Sequence, residues 1–290
     1  MRRAGLLLLV VLIVILLFYF FPLYWTFITS IKLPVEIFRY PPDFLPNNIT
    51  SSNYYSPVST PGVVAQNALG SVPFLISSTV VAVVSSLIGT FLIGAPSAYA
   101  LVRLTKHSKL FGRLVIFMII IPEAVLFIPL YLMVSDLNLI NTWWALILVY
   151  ITLTGPFSAW FLAGFFNAVP RSIEEAAQID GMKVFQIFRY VSIRLVLPGL
   201  FASFLLNFIN CWNEFLYALV MTYTPFNYSF PPVGAQTAPI FIETFLVVEK
   251  SFNWGGLAAV GIFTVIPVII IGVLVQKYFA SGLIHGGVKG

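Results

Sequence analysis

The chain has little charge for its length: 9% of its 290 residues are Asp, Glu, Lys or Arg, against 60% hydrophobic. Soluble domains run near a quarter charged. This scarcity excludes a water-soluble globular fold, which could not hide so much apolar surface. Cysteine occurs once, at Cys211, so no intramolecular disulfide can form and the redox compartment is not readable. Inside an apolar run that residue reads as a small buried hydrophobe. His107 and His285 are the only histidines, and no Cys, His and carboxylate spacing of the metal-binding kind occurs. The motif G-x-x-x-x-G-K-[ST] is missing, and with it a phosphate cradle for ATP. Neither a G-x-S-x-G elbow nor a histidine beside a buried nucleophile is found, which counts against a membrane-embedded hydrolase. The chain is expected to be non-enzymatic on its own and to bind no cofactor or metal.

What it has instead is a set of apolar runs long enough to cross a bilayer core, which takes about 20 helical residues each. Six spans are expected, at 5 to 31, 71 to 101, 111 to 134, 143 to 166, 196 to 222 and 256 to 280. All-helical crossings satisfy the backbone in lipid, so the expected fold is all-α and polytopic. The opening "MRRAGLLLLVVLIVILLFYFF" has an apolar run too long for a signal peptide, and no small-x-small cleavage site follows. It reads as the first span. With both termini and the second and fourth loops on one side, that side collects Arg2, Arg3, Arg103, Lys106, Lys109, Arg113, Arg171, Lys183, Arg189, Arg194, Lys277 and Lys289. The other side has Lys32, Arg39 and Lys250. Twelve against three puts both termini in the cytoplasm. The net charge of +5 follows from that topology, and no nucleic-acid partner is needed to explain it.

One charged segment interrupts the apolar chain, "VPRSIEEAAQIDGMKVFQIFRY" at residues 169 to 190, inside the loop of residues 167 to 195. Ser172 with Glu175 three positions on has the form of a capping box, with Pro170 upstream and Glu174 and Glu175 in the first turn. A short helix is expected from near Ile173, ended by Gly181 after Asp180. A second should follow, with Phe185 and Phe188 on one face. The residues alone allow two readings: a solvated charged loop, or a knob shaped for a groove on another protein.

At "EEAAQIDG" the sequence resembles the EAA motif of the permease subunits of ABC importers, carried here by Glu175, Ala176, Ala177 and Gly181. The stretches "IPLYLMVSDLNLINTWWALILVY", "CWNEFLYALV", "PLYWTFITSIKLPVEIF" and the terminal "QKYFASGLIHGGVKG" are similar to further blocks of the carbohydrate-importer branch, nearest its maltose-permease second-subunit type. The chain departs from that pattern at Arg194, where the family usually has proline, and retains Pro198. The resemblance implies a type I importer permease fold, a single transmembrane domain over residues 1 to 290 without an ATPase domain, and a job for the loop. It would seat in a cytoplasmic ATPase, with Glu174, Glu175, Ala176, Ala177, Asp180 and Gly181 forming the contact. Also implied are a second permease subunit in a heterodimer, two ATPases holding ATP and Mg, and an external solute-binding protein. The implied cargo is a sugar, glucose or a short oligosaccharide. A polyamine or other non-sugar solute is the alternative for such a permease; a stand-alone secondary transporter is a further one, but no inverted repeat is visible.

Ionisable and amide groups inside spans mark a path or a helix interface. Glu123 lies in "IIIPEAVLFIP". Asn207, Asn210 and Glu214 share a helical face with Cys211, while Asn213, also a candidate, and Trp212 are set to point elsewhere. These groups could hydrogen-bond a polyhydroxylated solute or glue helices together. Pro122 and Pro129 mark either a functional bend or, more simply, tolerated helix kinks. Trp143 and Trp144 read as an aromatic belt, and Ser85 with Gly89 and Ser86 with Thr90 as small-residue packing. Asn48 and Asn227 begin N-x-[ST] sequons in the outer segments 32 to 70 and 223 to 255. The resemblance implies that the second of these segments is the docking loop for a solute-binding protein; an ordered cap over the bundle is the other reading.

Overall fold

The computed structural model describes residues 2–55, 67–225, 234–245 and 253–286. The sequon at Asn227, Lys250, the final four residues and much of the expected docking loop lie outside them. The described chain is helical, with the isolated Lys32–Ile49 bridge as its only β pairing among the described residues. The main helices are α1 (Arg2–Ser30), α2 (Pro34–Ile37), α3 (Leu69–Leu104), α4 (Ser108–Ile120), α5 (Glu123–Asp136), α6 (Trp143–Ala168), α7 (Arg171–Ile179), α8 (Val184–Leu195), α9 (Leu197–Asn213), α10 (Leu216–Met221), α11 (Ala238–Glu243) and α12 (Trp254–Gly286). Four of these are long and apolar enough to cross a membrane, and six spans result when the bent pairs α4–α5 and α8–α9 count as one each.

The expected spans of residues 5 to 31, 71 to 101, 143 to 166 and 256 to 280 are continuous helices. The expected third span is a correction. It is broken at Ile121 and Pro122, where the chain turns through 90°, because both residues take extended ψ, 121° and 134°, and Pro122 has no N–H to continue the ladder. Pro129, by contrast, is carried inside α5 without a break. The expected fifth span is also divided. α9 stops at Asn213, Glu214 is extended, and the short α10 begins two residues later. Below it, Val196 separates α8 from α9 at 78°, with Pro198 in the first turn of α9.

Contacts divide the described chain into two compact units. One contains the residues up to Leu75 together with Ile240–Pro267. Its core stacks Phe74 on Phe241 at 4.6 Å, with Phe245 and Val260 beside them. In it Asn53 donates to the carbonyls of Ser30 and Lys32, which fixes the following segment to the end of α1. Residues 8–24 of α1 are exposed along their whole length, an apolar surface that lipid or a partner subunit covers in a membrane.

The other unit contains Ile76–Pro239 and the residues from Val268 on. α3 lies against α6 through small residues. A Cβ at Gly89 would overlap the Thr154 side chain, and one at Gly94 would overlap Ser158. The small-residue reading of Ser85 with Gly89 therefore holds, and Ser85, Ser86 and Thr90 are fully buried. Close approach is helped by two wide turns in α3, at Ile88–Gly94 and Ala100–Leu104, where the helix relaxes to i→i+5 bonding. A second apolar cluster joins Ala95, Ala98 and Tyr99 to Leu162, Phe166, Val196 and Leu200.

Candidate functional site

All five residues singled out for a path line one cavity of about 860 Å³ between α4, α5, α6, α9 and α10. Glu123, Asn207, Asn210, Asn213 and Glu214 share it with Tyr150, Thr152, Thr154, Phe157 and Phe215. The broken third span creates this space: with α4 and α5 turned apart, their ends border a hollow.

Within the wall the five residues divide by role. Asn207 is 1% exposed and donates to Thr90 Oγ1 at 2.9 Å and Ser158 Oγ at 2.7 Å, while Ser203 donates to Ser158 at 3.0 Å. That is a polar knot joining α3, α6 and α9, so Asn207 takes the helix-gluing role. Glu214 caps α10. Its Oε1 accepts from Tyr217 N at 2.7 Å, and its Oε2 accepts from Ala218 N at 3.2 Å and from the Tyr150 hydroxyl at 2.5 Å. Asn213 donates back to the Ile209 carbonyl at 2.8 Å, yet still borders the cavity although the helical face pointed it elsewhere. Asn210 and Glu123 are exposed to the space. Tyr217 ties the two acids together: its backbone N–H serves Glu214 and its hydroxyl donates to the Glu123 carbonyl at 2.8 Å.

Tyr150 was not legible as a participant, since nothing in "WWALILVYITLTG" marks one aromatic among many; its hydroxyl is identified only by the fold. Tyr150→Phe removes one donor from a half-buried carboxylate and is expected to cost about 1–3 kcal/mol. A lowered thermal midpoint of the detergent-purified protein, against wild type, checks it.

The charged loop is held by a second cluster. Arg103, at the end of α3, donates from Nε to Glu174 Oε2 at 2.7 Å, and its Nη2 reaches the carbonyls of Val169 at 2.7 Å and Phe166 at 3.0 Å. Ser192 donates to Glu174 Oε1 at 2.8 Å from a wide turn of α8. Both ion-pair side chains are 8% exposed. Phe188 packs on Tyr99 at 5.0 Å beside this pair, whereas Phe185 is 68% exposed.

The expected capping box does not form. α7 starts at Arg171, two residues before the expected start, with Pro170 as N-cap and no side-chain cap bond. Ser172 therefore sits inside the first turn, where its hydroxyl cannot cap, and Glu174 is carried inward to Arg103. The C-terminal expectation is met: Gly181 has φ +84°, the Gly181 N–H bonds the Gln178 carbonyl and the Met182 N–H bonds that of Ala177. These two bonds form the glycine-terminated helix end. Of the six loop residues, Glu174 and Ala177 are buried against their own chain; Glu175, Ala176, Asp180 and Gly181 are exposed, next to Ile179 at 87%. Arg194 is exposed near the end of α8.

Residues 90–285 match the family model described as the binding-protein-dependent transport system inner membrane component. The sulfoquinovosyl glycerol transport system permease protein of Agrobacterium fabrum is 35% identical over 272 residues, 93% of this chain and 89% of that one. The trehalose/maltose transport system permease protein of Thermococcus litoralis is 31% identical over 276 residues, 93% of this chain and 91% of that one. Among solved structures, a bacterial ABC transporter involved in the import of the acidic polysaccharide alginate superimposes with a TM-score of 0.70 at 26% identity, covering 96% of this chain and 97% of that chain.

Proposed function

We propose, from the premise that this chain belongs to the family of binding-protein-dependent transport system inner membrane components, that it is the permease subunit moving a sugar into the cell. It is a multi-pass membrane protein of the ABC transporter permease kind. The observation that carries the sugar reading is the cavity wall. Exposed Asn210, Asn213 and Glu123 alternate there with Phe157 and Phe215, and sugars are held by hydrogen bonds to hydroxyls and by apolar contact with ring faces. Glucose or a short oligosaccharide suits the volume. The relatives' named solutes include trehalose, maltose and an acidic polysaccharide, so likeness leaves the charge of the cargo open.

In this reading the solute arrives on an external binding protein, a second permease subunit completes the passage, and two cytoplasmic ATPases hold ATP and Mg. Both termini face the cytoplasm. The outward face of the loop, with Glu175, Ala176, Asp180, Ile179 and Phe185, seats in an ATPase, while Glu174 and Ala177 hold the loop to its own spans. ATP-driven closure moves such a rigid helix and rocks the spans attached to it.

The test is uptake of labelled glucose, maltose, trehalose, cello-oligosaccharides and a polyamine in cells with and without the chain, beside a Gly181→Arg variant. The left-handed φ of Gly181 is strained for any side chain. The expected result is that deletion abolishes uptake of one sugar and that Gly181→Arg lowers it at least about tenfold, through a misdirected α8. Loss of polyamine uptake alone would replace the sugar reading with the non-sugar one, and retrieval of no ATPase with the purified protein would revive a stand-alone transporter.

A further inference from the structure

We propose that the cavity excludes anions, with Glu123 as the residue that sets this selectivity, so that the cargo is an uncharged carbohydrate and not a uronate or sulfonate. The inference rests on the transport reading and names the substrate class of the same site.

Two acids and no Lys, Arg or His line the cavity among the described residues. The two acids are not equivalent. Both Glu214 oxygens are engaged by the Tyr150 hydroxyl and the N–H groups of Tyr217 and Ala218, so that carboxylate is a fixed part of the α10 cap. The Glu123 carboxylate has no such commitment. Among the described residues the ion pairs are Arg39–Asp43 and Arg103–Glu174, and Glu123 is exposed toward the space with only its backbone carbonyl bonded, to Tyr217.

The surroundings magnify this charge. Met118, Ile119, Ile121, Leu126 and Leu130 form an apolar wall around it, and a cleft of one charge sign with low-dielectric walls focuses the field within it. A solute carrying its own carboxylate or sulfonate meets that field as repulsion. An uncharged sugar turns the same carboxylate to advantage, since a hydroxyl donating to an ionised acceptor makes a stronger hydrogen bond than one donating to a neutral acceptor. Exposed Asn210 supplies further donors and an acceptor without adding charge.

The experiment reads cavity charge directly. In the assembled transporter, in membrane vesicles and on a Cys211→Ser background, Asn210→Cys provides a thiol in the wall. Its modification rates are measured with two methanethiosulfonate reagents, one carrying trimethylammonium and one carrying sulfonate, each normalised to its rate with a free thiol. The cationic reagent is expected to be favoured roughly tenfold. Glu123→Gln should cut that preference at least about threefold, and Glu123→Asp, which keeps the charge, should preserve most of it. A normalised ratio near one with Glu123 intact, or a ratio unmoved by Glu123→Gln, overturns the proposal. Because labelling needs no transported solute, an anion-excluding cavity in a chain that carries none of the tested sugars would sink the sugar reading and leave the charge assignment standing.

Discussion

Arg103→Met is expected to destabilise the folded chain by roughly 3–5 kcal/mol, the usual consequence of leaving one member of a buried ion pair without the other. The size follows from the geometry. Glu174 loses the 2.7 Å bond to its Oε2 and keeps only the Ser192 hydroxyl on Oε1. At the end of α6 the Val169 carbonyl loses its donor as well, and that of Phe166 keeps only the Val169 N–H at 3.3 Å. Arg103→Lys is expected to recover only part, because an ammonium cannot reproduce a planar fork that reaches a carboxylate and two carbonyls together. Removing both charges, as in Arg103→Met with Glu174→Met, should recover more than either single change, yet less than wild type, since the Val169 carbonyl stays without its donor. Thermal unfolding of the detergent-purified protein gives the order: wild type, double variant, single variants. Single variants as stable as wild type would mean that water reaches and satisfies the pair.

Gly94→Val is expected to be the next most damaging change, because α3 and α6 meet there backbone to backbone. Even the first carbon of a side chain would overlap the Ser158 Cβ, with the Ser158 carbonyl carbon at 3.2 Å behind it. Neither atom belongs to a flexible side chain that could swing away. Overpacking of this kind costs about 1–3 kcal/mol for a methylene or so, and valine adds more, so little folded protein should reach the membrane. Gly94→Ala should show the same loss in smaller measure. Gly112 and Gly164 have nothing within 4 Å of a Cβ, and alanine at either is expected to be neutral or to stabilise by up to about 1 kcal/mol through helix propensity. Yields and thermal midpoints of the four variants make the comparison, and equal behaviour at positions 94 and 112 would refute the close approach.

Much of this was legible in the sequence, for reasons that differ by residue. Glu123, Asn210 and Glu214 stood out because polar groups are costly in hydrocarbon and so collect on a cavity or interface. The fold brings them to one wall. Gly181 was legible because few residues take positive φ at a helix end. Arg103 was not legible as a structural residue. It read as one more cation of the positive-inside count, and its partner lies 71 positions away, beyond the reach of any periodicity. Glu174 was legible as an acid of the first turn, where it stands; that its face of α7 turns toward α3 was not, for the same reason. The break was half legible: Pro122 marked a bend, but its size was hidden by uniform hydropathy, since a run of isoleucines reads the same whether its helix is kinked slightly or turned through a right angle.

That break bears on how far substitutions can inform about recognition. Pro122 has no N–H to offer the Met118 carbonyl four residues back, and Met118, Ile119 and Ile121 all border the hollow. Non-helical backbone at membrane depth is tolerated where it is buried in protein or lines a wet space. The Met118 carbonyl thus lacks its usual helical partner in a residue that borders the hollow, whatever side chain stands at that position. A scan that replaces residues one at a time reads side chains and passes over such an oxygen, so a contact made by the main chain here would survive changes of side chain at the same position.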